Sequence, residues 1–400
     1  MNSLTGSRVS VYKSKVVSRQ NIRQLWLKLH RYLGLFLLLL SLPVGLTGSI
    51  NVYHREIDRF LTPAFYTPIT TQGQPLPLQQ ILEKVRQIDD SPIISIILPD
   101  DYWPVVLVHQ RHGKIVLRTS IDPISGQILG RRDQSNALLP KLYKLHQDLL
   151  LRPYWGEELV GIAGMALALS SLSGLWLWFP RKALTVRKGQ NFFRTTWDAH
   201  NALGFWVSLI LLWVALSGTA LVFPKAARFT LWPLNPREFK PHSVSHAEPA
   251  PPEDPDAILA AARAYRPDDV PLVLGLPTAK LNTWRVPMRP KHYHGTVGGL
   301  TQLWIDPWTL QVVQEKSSAQ WTAGDRILAH QFPLHNGSLF GEAGRALVFL
   351  SGLAFPLLGI SGAYLWWRKR RLAARKSSKP SRPASPPEQP SPVPGDSDKR

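Results

Sequence analysis

Four histidines occupy the same place in four similar stretches of sequence: His30 in KLHRYLGL, His146 in KLHQDLL, His200 in DAHNALGFW and His335 in PLHNGSLFG. Each stands at or just before the start of a long apolar run. A single histidine there needs no function, because an amphipathic ring suits the boundary between water and hydrocarbon. Four in register are harder to explain that way, and ionisable groups beside membrane helices are by default candidates for a functional site. Two neutral imidazoles facing each other across a helix bundle can hold haem iron from both sides. Such a six-coordinate iron keeps no open position for oxygen and suits electron transfer. Zinc is the competing metal, but it wants four ligands, and the histidine pairs bring no consistent third and fourth. The chain has no cysteine, which excludes disulfides, thiolate-held iron–sulfur clusters and thiolate haem ligation.

The elements that must position these rings follow from hydropathy. Windows near 32–52, 158–179, 202–223 and 344–367 each approach the ~20 apolar residues that cross a bilayer. The segments between them are polar and proline-rich. The expected fold class is therefore a membrane protein, a four-transmembrane-helix bundle with two α+β domains outside it. Lys and Arg cluster at Lys13, Lys15, Arg19, Arg23, Lys28 and Arg31, at Arg181, Lys182, Arg187, Lys188 and Arg194, and at Arg368, Lys369, Arg370 and Arg371. The positive-inside rule makes these three segments cytoplasmic. The expected order is a cytoplasmic segment 1–29, helix 30–53, periplasmic domain 54–156, helix 157–179, cytoplasmic loop 180–199, helix 200–223, periplasmic domain 224–342, helix 343–367 and a disordered cytoplasmic tail 368–400. The first helix reads as an uncleaved signal anchor. In a bacterium this is a multi-pass inner-membrane protein with both termini inside. The net charge of +20 is explained by anionic lipid next to the helix ends, not by nucleic acid.

The chain also repeats itself. KLHRYLGL leads to GLTGSI and KLHQDLL to SGLWLWFPRK; DAHNALGFW leads to LSGTALVF and PLHNGSLFG to ISGAYLWWRKR. Topology sorts the histidines into two pairs, His30 with His200 near the inner surface and His146 with His335 near the outer one. His54 and His330 are rival outer ligands; symmetry counts against His54, since the second repeat has Pro224 or Lys225 there. In each outer domain a helix (78–87; 257–265) precedes strand-like runs (93–98, 105–109 and 114–121; 272–276 and 283–288). Each series ends at an Asp-Pro turn, Asp122-Pro123 and Asp306-Pro307. Gly34, Gly45, Gly48, Gly164, Gly174, Gly204, Gly218, Gly352, Gly359 and Gly362 permit close helix approach or a flat slot. Trp176, Trp178, Trp206, Trp213, Trp366 and Trp367 suit an interfacial belt or a macrocycle's flank. His109, His112, His292 and His294, with Arg111, Arg131, Arg132 and Lys291, lie in outer strands or loops; they read as a solvated face or as one that attracts an anionic chelate.

These motifs in this order, LHRYLGL…GLTGSI, LHQDLL…SGLWLW, AHNALGFW…LSGTAL and LHNGSLFG…SGAYLWW, interleaved with two Asp-Pro domains, resemble the PepSY-associated transmembrane family over about 25–370. That family includes iron-regulated inner-membrane proteins and ferric-siderophore reductases. The resemblance implies PepSY-like outer domains, two haem b groups ligated by His30, His200, His146 and His335, and reduction of a ferric siderophore in the periplasm. The electron donor would be a quinol or a cytoplasmic reductase, since no nucleotide-binding pattern stands in a strand–helix context. PepSY domains elsewhere regulate peptidases, so two alternatives stand: a haem-free membrane sensor or peptidase regulator, and a siderophore or metal permease component.

Overall fold

The computed structural model describes residues 19–179, 184–241, 243–244, 253–278, 280–291 and 301–377. Among the described residues four helices are long and apolar enough to cross a membrane: Gln20–Val52, Gly156–Trp178, Phe192–Val222 and Ser338–Arg375. In chain order, α1 (Arg19–Leu40) passes through a π-helical turn (Ser41–Leu46) into α2 (Thr47–Val52), followed by α3 (His54–Leu61) and α4 (Pro63–Tyr66). After α5 (Leu78–Ile88) come β1 (Ile93–Ile97), β2 (Val106–His112), β3 (Ile115–Ile121) and β4 (Ile128–Asp133). Then α6 (Leu138–Asp148) leads into the crossing helices α7 (Gly156–Trp178) and α8 (Phe192–Val222), and α9 (Pro224–Thr230) follows. The second polar unit holds α10 (Pro255–Tyr265), β5 (Asp269–Pro271), β6 (Val273–Gly275), β7 (Trp284–Pro290), β8 (Thr301–Ile305) and β9 (Val312–Lys316). The chain closes with α11 (Ala323–Ala329), α12 (Gln331–His335) and α13 (Gly341–Ser377).

The crossing helices are arranged for lipid. In α7 the small residues Gly161, Ala163, Ala166, Ala168, Ser170, Ser171 and Ser173 are buried, while Ile162, Met165, Leu169 and Leu172 are each 44–48% exposed. Large residues out and small ones in is the pattern of a bundle surrounded by hydrocarbon, where backbones gain by approaching closely. Helices α1–α2 and α13 touch at Gly45 and Gly352, and a Cβ on Gly45 would stand 2.9 Å from the Gly352 carbonyl. Ser49 Oγ donates across this crossing to Phe349 O at 2.8 Å. Helices α7 and α8 meet in the same manner at Gly164, beside Ala215 O and Thr219 Oγ1. Pro43 lies in the π turn that joins α1 to α2; such turns mark places where a helix is locally widened.

The two polar units are not separate bodies. Their strands form one antiparallel sheet in the order β4-β3-β2-β1-β6-β7-β8-β9, with β5 beside β7. The join is β1 to β6, where Ser95, Ile96 and Ile97 stand opposite Gly275, Leu274 and Val273. Helices α5 and α10 cover one face, and their Ile81, Leu82, Val85, Ile258 and Ala262 pack in one core with Ile96, Val108, Leu274, Trp284, Val286 and Leu303. Asp256 in α10 caps α5, accepting from the Leu78 and Gln79 amides at 2.9 Å each. Asp122 closes the first Asp-Pro turn. Its burial alone would raise its pKa, but amides of Thr70, Ser125, Ile124 and Ile69 outweigh that and hold it at about 2.

Helix α13 does not stop where the sequence places a disordered tail at 368; it continues to Ser377. The run RKRRLAARK is made of good helix formers, with cations at the C-terminal end that suit the helix dipole. The rest of that tail, the first eighteen residues, and most of the proline-rich linker 241–256 lie outside the described residues.

Candidate functional site

The end of the bundle that carries the sheet is here the sheet end; the opposite end, where α1 begins and α13 runs out, is the tail end. His30 in α1 and His200 in α8 meet at the tail end, with ring centres 6.4 Å apart and planes at 75°. His146 and His335 meet at the sheet end, 6.0 Å apart at 48°. A metal ion bonded to one nitrogen of each ring at ~2 Å would set the centres ~6 Å apart. His54 is exposed and bonds Asn51 O at 2.9 Å, and His330 bonds Arg326 O at 2.6 Å; among the described residues neither ring stands opposite another histidine.

The second nitrogen of each ring fixes its tautomer. Nδ1 of His146 donates to Val44 O at 2.9 Å and that of His335 to Val214 O at 2.9 Å. Nδ1 of His30 donates to Ser170 O at 3.1 Å, with Ser173 Oγ at 3.0 Å. His200 Nδ1 lies 2.8 Å from Ser361 Oγ, whose own hydrogen goes to Leu358 O, so this Nδ1 is also the donor. In all four rings the proton therefore sits on Nδ1, and Nε2 keeps a free lone pair. That is the ligating form of a histidine whose outer-shell partner orients it.

Each ring also lies against a glycine of a neighbouring helix. A Cβ at Gly48 would stand 2.8 Å from His146 Cε1, one at Gly218 2.7 Å from His335 Cε1, one at Gly174 3.1 Å from His30 Cε1 and one at Gly362 3.3 Å from His200 Cε1. The carbonyl or hydroxyl that holds each Nδ1 comes from the turn just before that glycine. Thr47-Gly48, Ser173-Gly174, Ser217-Gly218 and Ser361-Gly362 are thus the seats of the four rings. These glycines are legible in the sequence as slot-formers; the signal for the Ser or Thr before them is the Ser/Thr-Gly dipeptide that stands in each repeated motif.

The tail-end pair opens into an apolar cleft of about 1390 Å3, counted out to its open mouths, walled by Leu27, Leu37, Leu167, Phe205, Leu211, Phe355 and Leu358. Arg23, Arg31 and Lys369 also line it. Gly34 and Gly204, each one turn after its histidine, keep the wall flat: a Cβ at Gly34 would meet nothing within 4 Å, and one at Gly204 only Leu358 at 3.8 Å. Trp178, stacked on Phe205 with centres 4.1 Å apart, and Trp366 line the same cleft; Trp206 is 60% exposed. Asp198, buried two residues before His200, holds Arg194 Nε at 3.1 Å and Arg187 Nε at 3.8 Å, a tie between the 184–191 loop and α8 that no sequence motif announces.

Among the described residues, no group of three or more His, Cys, Asp or Glu could hold a metal ion. Each pair thus supplies two donors, and any further ligands must come from the bound group itself. The donor set and the free Nε2 atoms would suit an iron-bearing planar macrocycle between the rings of each pair, and at the tail end the flat apolar cleft would give it room.

The other singled-out residues are engaged locally. His109 sits between Ser95 Oγ at 3.0 Å and Arg118 Nε at 2.8 Å; burial and the Arg118 charge push its pKa down to about 4. Arg131 pairs with Asp89, and Arg132 with Asp58 and Tyr66, so these two cations are tied inside the sheet unit. Arg111 and Lys291 are exposed, as is His112, which lies 2.8 Å from Ser91 Oγ; His292 and His294 lie outside the described residues. At the junction of bundle and sheet, Arg345 of α13 reaches Val52 O at 2.9 Å and pairs with Glu56 and Glu342.

No curated protein matches the chain. A family model for the PepSY-associated TM region matches residues 27–369, which takes in α7 and α8, most of the first and last crossing helices, the joined sheet and every ring of the two pairs. The chain is a multi-pass membrane protein and belongs to the PepSY-associated transmembrane family.

Proposed function

We propose that this chain is a di-haem b electron-transfer protein of the bacterial inner membrane that reduces ferric siderophore in the periplasm for iron uptake. The observation that carries the proposal is the facing of two imidazole pairs at ~6 Å with Nδ1 protonated and Nε2 free in every ring. A bis-imidazole haem supplies one-electron transfer without an open iron position. His30 and His200 would hold one group and His146 and His335 the other. Ser173, Ser361 and the carbonyls of Val44 and Val214 keep the rings in their ligating tautomer, while the seat glycines set their orientation.

The same parts recur in both halves, which supports reading the chain as two repeats. His30 on Gly174 corresponds to His200 on Gly362, and the Gly45–Gly352 crossing corresponds to Ala215–Gly164. With the cation-rich tail end in the cytoplasm, an electron from a quinol or a cytoplasmic reductase enters there and leaves at the sheet end. It then converts Fe(III) in the chelate to Fe(II), which hydroxamate or catecholate ligands hold poorly. An electron leaving a negative interior gains roughly 2.3 kcal/mol per 100 mV if it crosses the whole field.

The test is the absorption spectrum of the protein purified from membranes. A b-type Soret band with two reducible α-components is expected, one absent in His200→Ala and the other in His335→Ala. A well-folded, colourless protein would sink the proposal and return the chain to a haem-free sensor. Ferric chelates of hydroxamate and catecholate type, added to the reduced protein, then test the substrate.

A further inference from the structure

At the tail end, α1 and α13 enclose a shallow groove lined by Arg31, Tyr32, Trp366, Lys369, Arg370 and Ala373. Two helices bring three cations, Arg31, Lys369 and Arg370, to one place. Asp198, the buried acid near this end, already holds Arg187 and Arg194. The Arg370 guanidinium lies 5.6 Å from the Trp366 ring centre and the Lys369 ammonium 4.1 Å from that of Trp197, so aromatic surfaces carry the cationic side chains. Below the groove, Tyr32, Phe36 and Leu39 follow one another at i, i+4 and i+7 on the outside of α1, 65%, 38% and 76% exposed. A cationic head site thus continues into an apolar stripe on the lipid-facing surface.

We propose that this groove binds the phosphodiester headgroup of an anionic phospholipid, with an acyl chain along Tyr32, Phe36 and Leu39. Basic pockets between membrane helices suit such headgroups, and each nearby cation adds to the attraction. A free phosphate ion would use the cations but not the stripe, which favours the lipid. Arg31, Trp366 and Lys369 line both this groove and the cleft around His30 and His200. A bound lipid therefore closes the side of that cleft. The site goes beyond the electron-transfer proposal and does not require haem.

The full chain in neutral detergent is titrated with phosphatidylglycerol, with phosphatidylcholine of the same acyl chains and with inorganic phosphate, and bound species are counted by native mass spectrometry. Phosphatidylglycerol is expected to bind at least about tenfold more tightly than phosphatidylcholine. That preference should disappear in R31Q/R370Q, weaken in the exposed single variant R370Q and persist in R371Q/R375Q. Equal binding of the two lipids overturns the proposal, as does loss of preference in R371Q/R375Q, which would mean diffuse charge. Displacement of the lipid by equimolar inorganic phosphate would reassign the groove as a simple anion site.

Discussion

At the tail end the paired imidazoles belong to the long helices themselves, His30 to α1 and His200 to α8, and a serine hydroxyl contacts each Nδ1. At the sheet end they belong to the short helices α6 and α12, and main-chain carbonyls hold them. The chain reaches α6 directly from β4, and its exit from α6 is strained: Leu149 and Leu150 are left-handed at φ 55° and 59°, where the corresponding turn after His335 uses Gly337 at φ 81°. A left-handed non-glycine residue costs about 1–2 kcal/mol. The tail-end pair thus stands on the crossing helices themselves, whereas the sheet-end pair stands on short helices laid against them, α6 on α2 and α7 and α12 on α8. The two ends also differ in tolerance, because the sheet-end rings sit closer to their glycines.

The largest expected difference is steric. Gly48→Ala and Gly218→Ala place a Cβ less than 3 Å from a buried ring and should remove most of the sheet-end haem signal. Gly174→Ala and Gly362→Ala, at 3.1 and 3.3 Å, should retain the larger part of the tail-end signal; haem-to-protein ratios and component spectra decide. Equal losses at both ends would break the comparison.

Next come the hydroxyls. Ser361→Ala leaves His200 Nδ1 without its acceptor and should weaken the tail-end group about 10–100-fold, the usual scale for an outer-shell partner. Ser217→Ala should change the sheet-end group less than about threefold, since His335 keeps the Val214 carbonyl. Haem-transfer titrations to a scavenging protein measure both.

A third prediction uses pH. The folded pKa of His109, about 4, lies below its ordinary value. Between about pH 6.5 and 4 the unfolded chain therefore binds the extra proton, and sheet stability falls as pH falls, by an amount on the order of 3 kcal/mol. Tryptophan-monitored melting should show this slope in the native chain and a flatter one in His109→Gln. The smallest effect is expected from Asp256→Ala, which uncaps α5 and should cost about 1 kcal/mol in the same melt.

Much of the bundle was legible because apolar length and flanking charge are local properties. The windows at 158–179 and 202–223 fall inside or within a residue of α7 and α8, and the polar helices at 78–87 and 257–265 lie within a residue or two of α5 and α10. The four histidines stood out by repetition, and their sorting into two facing pairs followed from helix direction. The seats were half legible: the glycines were noted as slot-formers, but nothing in one sequence says that a serine carbonyl or hydroxyl will meet a ring more than a hundred residues away. Arg131 and Arg132 were grouped with an exposed positive face because alternation along a strand does not reveal the carboxylates that Asp89 and Asp58 bring from elsewhere.

The sequence alone determined four apolar stretches long enough to cross a bilayer and an imidazole at or just before the start of each, because burial of apolar length and the cost of charge in lipid leave little other placement. Only the tertiary structure decided that β1 joins β6 in one sheet, and that each ring's Nδ1 is held so that its Nε2 is free. Strand edges and ring nitrogens choose partners by geometry across the whole chain, and hydrophobic period carries no record of that choice.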